Sequence, residues 1–421
     1  MQRILFYFLI AYCFLFFLIA REIGGIPVGI IIDLLFALLL IATIFSSGVS
    51  DWRGLNVDIF YLLLLWLVIS LLQGINPGSS LMGWINEIRS TAVYPFIAVM
   101  LGLMIFRTQK QLDIFLIIVI SLSTLASLNG LKQLYLGLTA AEQSFLRDNA
   151  GTHLLWGRLR VFSFYSDAGQ FGASQAHIGL ISLILSMAPI KTWKKILLAF
   201  AAAANLYGML ISGTRGALFV VIIGGFVAIL LSKNFRALFF GGSMAIFLLC
   251  LLKFTHIGDG NYQIYRLRSA LNPQDASLNA RIINQQNIKT YMEDLPFGAG
   301  PGVTGYYGGL YNADKYLASV PPDSYFVKIW MMYGVTGLTI WFCIMLYILG
   351  HCFGTIWRMD HGDLKIKMIA LCAGATGILF ASYGNEVINL MPTSIVVYLS
   401  WVMIYKSPLM QRDENSRPKL I

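Results

Sequence analysis

The amino-acid sequence predicts an all-α polytopic membrane protein with about twelve transmembrane helices and one large extracytoplasmic loop. Of its 421 residues, 57% are hydrophobic and only 12% are charged. The mean hydropathy is +0.72, a value that is typical of polytopic membrane proteins and not of soluble globular domains. The apolar residues also occur in windows of about 17 to 25, the length at which a helix crosses a hydrocarbon core of roughly 30 Å.

The apolar windows give the order of the expected helices along the chain. They are residues 4–20, 25–46, 58–73, 90–106, 112–130, 168–188, 195–212, 216–232, 237–254, 325–349, 366–384 and 388–405. The first window resembles a signal peptide, but Arg21 and Glu22 follow it and the sequence shows no small-residue cleavage pattern there. We therefore expect this helix to remain in the mature protein as an anchor.

Four regions follow from this order. Residues 1–254 contain the first nine helices with a short interfacial loop at 131–167, residues 255–324 form the large loop, residues 325–405 contain the last three helices, and residues 406–421 form a cytoplasmic tail. Short loops rich in Lys and Arg, such as those around Lys194 and Arg358, all fall on one side of the membrane in this order. By the positive-inside rule that side is cytoplasmic, so both outer loops are extracytoplasmic.

The charge and cysteine content exclude several classes of protein. The formal net charge is +10, but about half of it lies in the cytoplasmic loops and no soluble basic domain carries the rest, so we expect no nucleic-acid partner. The five cysteines lie in or beside apolar windows without metal-ligand spacing. Because nucleotide-binding motifs are also missing, we expect no metal site and no cofactor. The remaining basic residues lie on the outer side, where they indicate an anionic ligand.

The two outer loops are expected to contain local structure. The loop at 131–167 has leucines and aromatic residues spaced for a short helix on the membrane surface, followed by a basic turn, GRLR. In the large loop, NARIINQQNIKTYMED at 279–294 predicts a helix, which the proline and glycines of DLPFGAGPGVTGYYGG at 294–309 end. Asp323 follows two prolines at the end of the loop. It is either the N-cap of the tenth span or a catalytic carboxylate.

Three stretches carry a resemblance to a known family. They are RVFSFYSDAGQFGA at 160–173, SGTRGA at 212–217 and RIINQQNIKTYMEDLPFGAGPG at 281–302. Each is similar in pattern to a stretch of the O-antigen ligase and O-antigen polymerase superfamily, membrane glycosyltransferases with a GT-C-like architecture that build bacterial envelope polysaccharide. The sequence departs from the family at Asp323 and Ser324, where many members have His-Asn. The family's catalytic histidine is therefore not carried over.

The resemblance implies a multi-pass enzyme of the bacterial inner membrane. Its reaction transfers a glycan from undecaprenyl pyrophosphate to a sugar hydroxyl at the outer, periplasmic face, without a metal ion. The expected function is a polymerase of O-antigen, capsule or exopolysaccharide repeats, and an O-antigen ligase that transfers the glycan to lipid A core is the alternative. A polysaccharide transporter or flippase, and a non-catalytic assembly protein, are alternatives of another class. Expected partners are the undecaprenyl-pyrophosphate-linked glycan, membrane lipid, a chain-length regulator and a flippase.

The resemblance also assigns basic residues to the site. Arg215 and Arg281 match the family's motif arginines and, with Arg160, are expected to bind pyrophosphate, because a guanidinium stays protonated and binds phosphate oxygens in pairs. Alternatively, Arg215 only marks the membrane interface by snorkelling. Lys328 is a further basic residue that we expect to bind phosphate or glycan.

Three carboxylates are candidates for the remaining roles. Asp323 takes the place of the family histidine and is expected to accept the proton of the attacking hydroxyl. Glu386, in SYGNEVINL between the last two spans, is an intramembrane carboxylate and hence a functional candidate, or it pairs with an arginine. Asp167 either contacts the substrate or caps the helix that follows it.

Overall fold

Helices account for most of the computed structural model, which describes residues 2–415 apart from 25–27, 47, 49–51, 235–241, 244–246, 248, 257–259, 261, 270 and 273–275. The described residues form seventeen α-helices and one two-stranded hairpin. The helices are α1 Gln2–Ile23, α2 Val28–Ser46, α3 Asp58–Leu72, α4 Leu81–Ile88, α5 Tyr94–Ile105, α6 Gln109–Tyr135, α7 Ala140–Asp148, α8 Ala150–His153, α9 Ala168–Ser186, α10 Thr192–Ile211, α11 Gly216–Ser232, α12 Tyr262–Ser269, α13 Ala276–Met292, α14 Gly305–Tyr311, α15 Tyr325–Arg358, α16 Asp363–Ala381 and α17 Thr393–Asn415. The hairpin pairs β1, Leu154–Leu155, with β2, Arg158–Leu159.

Eight stretches of helix among the described residues are long and apolar enough to cross a membrane. They are Gln2–Ile23, Val28–Ser46, Asp58–Ile75, Leu81–Ile105, Gln109–Tyr135, Thr192–Ile211, Tyr325–Arg358 and Asp363–Ala381. The expected all-α polytopic class is therefore confirmed, whereas the number twelve stays a prediction. The expected span 237–254 lies largely outside the described residues, and α11 is apolar but shorter than the eight.

The helix α9 lies at the centre of the bundle. Nearly all of its residues are buried, and it packs against α10, α11 and α16. Glycines permit close packing of α11 on α16: a Cβ atom at Gly224 would lie 2.6 Å from the Ala373 carbonyl oxygen, and one at Gly377 would lie 2.5 Å from that of Val220. Such close backbone approach is common between membrane helices, where lipid is as apolar as the helix surfaces.

The last helix differs from the expected span 388–405 and tail 406–421. The helix α17 begins later, at Thr393 directly after Pro392, and it continues through Pro408. It also continues through most of the expected tail, since Ser407 and Met410 are buried against the bundle. Tertiary packing thus extends the helix into a segment whose composition predicts a polar tail.

The loops at 131–167 and 255–324 contain the expected local helices. In the loop at 131–167, α7 begins at a capping box in which Thr139 and Glu142 bond reciprocally, and the GRLR turn lies in the β1–β2 hairpin. In the large loop, the helix expected at 279–294 is confirmed as α13. The glycine-rich segment that follows ends α13 as expected, but it also contains the short helix α14, which the sequence did not predict.

The glycine-rich segment packs into a break in α15. The break lies at Gly334, which has φ +70° and ψ −174°. The amides of Ala299 and Gly300 donate to the carbonyl oxygens of Met331 and Met332 at 2.9 and 3.0 Å. In an unbroken helix these carbonyls would accept bonds from the next turn, so the loop replaces part of the helix ladder. The large loop is thereby attached directly to a membrane-spanning helix.

Replacing Gly334 with alanine should destabilise the protein, because a Cβ atom there would lie 2.1 Å from the Pro296 carbonyl oxygen and the backbone is left-handed. We expect a loss of about 1–3 kcal/mol, seen as a lower midpoint of thermal unfolding in detergent. Gly350→Ala in the same helix is the matched control, since nothing lies within 4 Å of a Cβ atom at that position. Equal midpoints for the two variants would contradict the described packing.

Candidate functional site

The turn between α10 and α11 carries Arg215. Gly213 in this turn has φ +61°, and Ser212 Oγ accepts a hydrogen bond from the Thr214 amide at 3.1 Å. Thr214 Oγ1 donates to the carbonyl oxygen of Ala168, the first residue of α9, at 2.8 Å. Arg215 is thereby held in the N-cap position of α11, where the positive end of the helix dipole favours an anion.

Two further arginines contact this turn, one from the loop at 131–167 and one from the large loop. Arg160 follows β2 and donates from Nε to the Ser212 carbonyl oxygen at 3.3 Å and from Nη2 to Thr214 Oγ1 at 3.2 Å. Arg266 of α12 donates from Nη2 to the Gly213 carbonyl oxygen at 3.2 Å. These bonds fix the turn that presents the motif arginine.

Arg281 reaches the same place from the large loop. It lies on α13 and donates from Nη2 to the Gly384 carbonyl oxygen at 3.0 Å. Gly384 packs against Gly216, the residue after Arg215: a Cβ atom on Gly384 would lie 4.0 Å from the Gly216 Cα and 3.8 Å from Arg281 Nη1. The structure therefore brings Arg281 to the start of the helix that Arg215 caps.

The loop between α16 and α17 connects this region to two carboxylates. Asn385 approaches α9, since a Cβ atom on Gly169 would lie 2.2 Å from Asn385 Nδ2 and 2.8 Å from Asp167 Oδ1. Glu386 follows in the chain. Because consecutive Cα atoms are about 3.8 Å apart, the Glu386 Cα lies within about 7.6 Å of the Cα of Gly384, the glycine whose carbonyl oxygen Arg281 binds.

Lys328 lies between two carboxylates. Its Nζ is 2.8 Å from Glu386 Oε2 and 3.0 Å from Glu87 Oε1. The side chains of Lys328 and Glu87 are 8% and 1% exposed, whereas that of Glu386 is 22% exposed. The sequence offers pairing with an arginine as one interpretation of Glu386, but the partner is a lysine. Burial raises the pKa of the Glu386 carboxyl above its ordinary value, and the Lys328 ammonium acts in the opposite direction.

Glu87 is a candidate that the sequence interpretation missed. It lies near the end of α4, and its Oε1 accepts a hydrogen bond from Thr91 Oγ1 at 3.2 Å. Its other oxygen, Oε2, is buried without a hydrogen-bond partner among the described residues. A carboxylate next to an apolar window was the available signal, but the expected span 90–106 begins three residues too late to include it.

Arg21, at the end of α1, is a second residue whose role was missed. Its Nη1 and Nη2 donate to the carbonyl oxygens of Ser163 and Tyr165 at 2.6 and 2.8 Å. Its Cζ also lies 4.4 and 4.6 Å from the ring centres of Phe145 and Phe162. The first of the three motif stretches is therefore anchored on the first helix.

Asp167 is the N-cap residue of α9. Its Oδ1 accepts a hydrogen bond from the Gln170 amide at 2.9 Å, and its Oδ2 accepts one from Ser166 Oγ at 3.1 Å. Of the two interpretations of Asp167, helix capping is confirmed by this geometry. A contact with substrate stays a prediction.

The interpretation of Asp323 as the cap of the tenth span is wrong. The N-cap residue of α15 is Ser324, and Asp323 lies one position earlier, with φ +50°. The first amide of the helix, that of Tyr325, donates to the Ser382 carbonyl oxygen at 2.9 Å. The Ser382 carbonyl oxygen, at the end of α16, thus satisfies the Tyr325 amide that a capping carboxylate would otherwise have bound. The Asp323 side chain is exposed.

Residues 199–342 match a family model described as O-antigen ligase. The resemblance to the O-antigen ligase and polymerase superfamily is confirmed. The O-antigen ligase match begins in α10 and ends in α15, so it includes Arg215, Arg281, Asp323 and Lys328. Members of this family are glycosyltransferase-like membrane enzymes. No curated protein matches the chain.

Substitutions at Asp167 and Asp323 should show that the first side chain caps a helix and that the second does not. Asp167→Ala should cost about 1 kcal/mol of stability and Asp167→Asn almost none, because asparagine caps a helix about as well as aspartate. Asp323→Asn and Asp323→Gly should both stay within about 0.5 kcal/mol of the unsubstituted protein, because the residue is exposed and both replacements tolerate its φ of +50°. Thermal unfolding of the four purified variants in detergent measures these differences. A loss of about 1 kcal/mol in Asp323→Gly that Asp323→Asn does not show would indicate that the Asp323 side chain stabilises the helix after all.

Proposed function

We propose that the protein is a glycosyltransferase that joins polyprenyl-pyrophosphate-linked oligosaccharide repeats at the outer face of the bacterial inner membrane. It would act as a polymerase of O-antigen, capsule or exopolysaccharide. The match to the O-antigen ligase family and the membrane-spanning helices support this proposal. The observation that carries it is the bond from Arg281 to Gly384, which places that arginine beside the helix start at Arg215.

Two guanidiniums are suited to the leaving group of this reaction. A sugar hydroxyl attacks the anomeric carbon of the lipid-linked donor, the bond from that carbon to a phosphate oxygen breaks, and undecaprenyl pyrophosphate leaves with the electron pair. In the proposal Arg215 and Arg281 bind the pyrophosphate, whose charge grows as the bond breaks. The amino end of α11 adds to the positive potential at that place. Arg160 would position Arg215 through its bonds to Ser212 and Thr214 in the turn between α10 and α11.

The attacking hydroxyl also needs a proton acceptor. The sequence assigns this role to Asp323, from its position in the family pattern, and offers Glu386 as the second carboxylate. Asp323 is exposed, whereas Glu386 belongs to the same loop as the carbonyl that Arg281 binds. This proximity to the arginines favours Glu386.

A ligase is the second candidate, because the matched family is described as O-antigen ligase. The two functions differ in their acceptor, which is another lipid-linked repeat for a polymerase and lipid A core for a ligase. The purified protein, incubated only with undecaprenyl-pyrophosphate-linked repeats extracted from the source bacterium, should yield a ladder of longer lipid-linked glycans. Transfer that requires added lipid A core would identify a ligase. No transfer with either acceptor would favour a transporter or an assembly protein.

Arg215→Lys should reduce product formation nearly as much as Arg215→Ala, by on the order of a hundredfold or more, because an ammonium cannot replace a bidentate guanidinium. The same holds for the pair Arg281→Lys and Arg281→Ala. The rate of ladder formation by equal amounts of purified protein is the measurement. Arg147 is the matched control, since it is an exposed arginine of the outer helix α7, and both of its substitutions should leave the rate unchanged. Full activity of the Arg215 variants would support the snorkelling interpretation instead.

A further inference from the structure

We infer that Glu386 accepts the proton of the attacking hydroxyl, and that Glu87, acting through their shared partner Lys328, keeps Glu386 basic enough to do so. Glu386 is then a catalytic residue and Glu87 a positioning residue. The inference rests on the proposed glycosyl transfer, because it assigns a proton within that reaction. No part of it needs Asp323.

The first argument is the balance of charge around Lys328. One ammonium contacts two carboxylates, at 2.8 Å and 3.0 Å, so the three side chains carry a net charge of about −1 when all are ionised. In surroundings of low dielectric an uncompensated charge is costly, and the cluster becomes neutral when it binds one proton. An arrangement of this kind favours proton uptake, which is what a general base must do.

The second argument concerns which carboxylate exchanges that proton. Glu87 is 1% exposed and Glu386 is 22% exposed, so only Glu386 presents part of its surface to a substrate hydroxyl. Glu87 is held in place by Thr91, and its Oε2 is buried without a partner among the described residues. A buried carboxylate with one unpaired oxygen attracts Lys328 strongly and so weakens the hold of the lysine on Glu386.

The third argument is the set of other charged groups that face Glu386. Asp167, at the start of α9, raises the pKa of the Glu386 carboxyl, as Glu87 does, while Lys328 lowers it. Arg281 donates to the carbonyl oxygen of Gly384, which lies two residues before Glu386 in the chain. Tyr325 of α15 and Tyr307 of α14 also lie near the cluster; both are neutral at physiological pH and add no charge.

The proposed step is balanced in atoms and charge. The O–H bond of the acceptor sugar breaks, its proton moves to a Glu386 oxygen, and the hydroxyl oxygen forms a bond to the anomeric carbon of the donor. The bond between that carbon and the pyrophosphate oxygen breaks, and the arginines hold the anion that leaves. The proton bound at Glu386 then passes to water or to the departing phosphate, which restores the base.

The pH dependence of the rate tests this assignment, because a base must be deprotonated to act. Activity therefore falls as the pH falls through the pKa of Glu386. In Glu87→Gln the lysine pairs with Glu386 alone, the pKa of Glu386 falls, and the acid limb of kcat/KM should move to lower pH by about one unit. In Lys328→Met both carboxylates lose their cation, so the acid limb should move to higher pH. A general disturbance of the fold does not predict shifts of opposite sign.

Further variants complete the test. Glu386→Gln should lose activity by on the order of a hundredfold or more at every pH, and Glu87→Asp, which keeps the charge, should restore the acid limb toward its original position. Glu293→Gln is the matched control, an exposed carboxylate just after α13, and should leave the profile unchanged. All variants are purified in detergent and assayed with the lipid-linked repeats.

Two outcomes would overturn the inference. One is an acid limb that stays in place, or moves to higher pH, in Glu87→Gln. The other is a Glu386→Gln protein that retains normal activity. If these results occur while the Arg215 and Arg281 variants are inactive, the glycosyl transfer stands and only the assignment of its base fails. If the arginine variants are fully active as well, the proposed function itself fails.

Discussion

The contact of Gly384 with Gly216 is the constraint on which the rest of the site depends. It allows the loop between the last two helices to lie directly on the start of α11. Through its carbonyl oxygen Gly384 also receives Arg281 from the large loop, and its neighbours in the chain reach Asp167 and Lys328. Elements that are far apart in sequence therefore meet at one short loop. The loop and the start of α11 meet at van der Waals distance there, since a Cβ atom on Gly384 would lie 4.0 Å from the Gly216 Cα.

The surrounding bundle makes this meeting point rigid. The central helix α9 is buried on all sides, and its N-terminal residue Ala168 accepts a bond from the turn that carries Arg215. Arg21 fixes the chain segment before α9 through two carbonyl oxygens and two aromatic rings. Polar groups at a membrane surface need partners within the protein wherever water is excluded. Here those partners are backbone carbonyls, so the charged side chains are oriented by the main chain.

Much of the fold and part of the site could be predicted from the sequence. Apolar windows predict helices because bilayer thickness fixes their length, and the motif around Arg215 predicts a helix start because glycines flank it. The sequence could not reveal Glu87 as the partner of Lys328, since that pair joins α4 to α15 across most of the chain. Nor could it show that Ser382, and not Asp323, satisfies the first amide of α15. Both depend on long-range packing, which local patterns do not contain.

The break in α15 at Gly334 has a mechanical consequence. Lys328 lies six residues before it on the same helix, a distance of about 9 Å along the axis. The short helical segment between them is tied to the large loop by backbone bonds, because Ala299 and Gly300 donate to its last carbonyl groups. The Pro296 carbonyl oxygen also accepts a bond from the Thr336 amide at 3.2 Å, beyond the break, so the same loop ties both halves of α15 together. Lys328 is therefore held in register with that loop by main-chain bonds, and its distances to Glu386 and Glu87 depend on where the loop is docked.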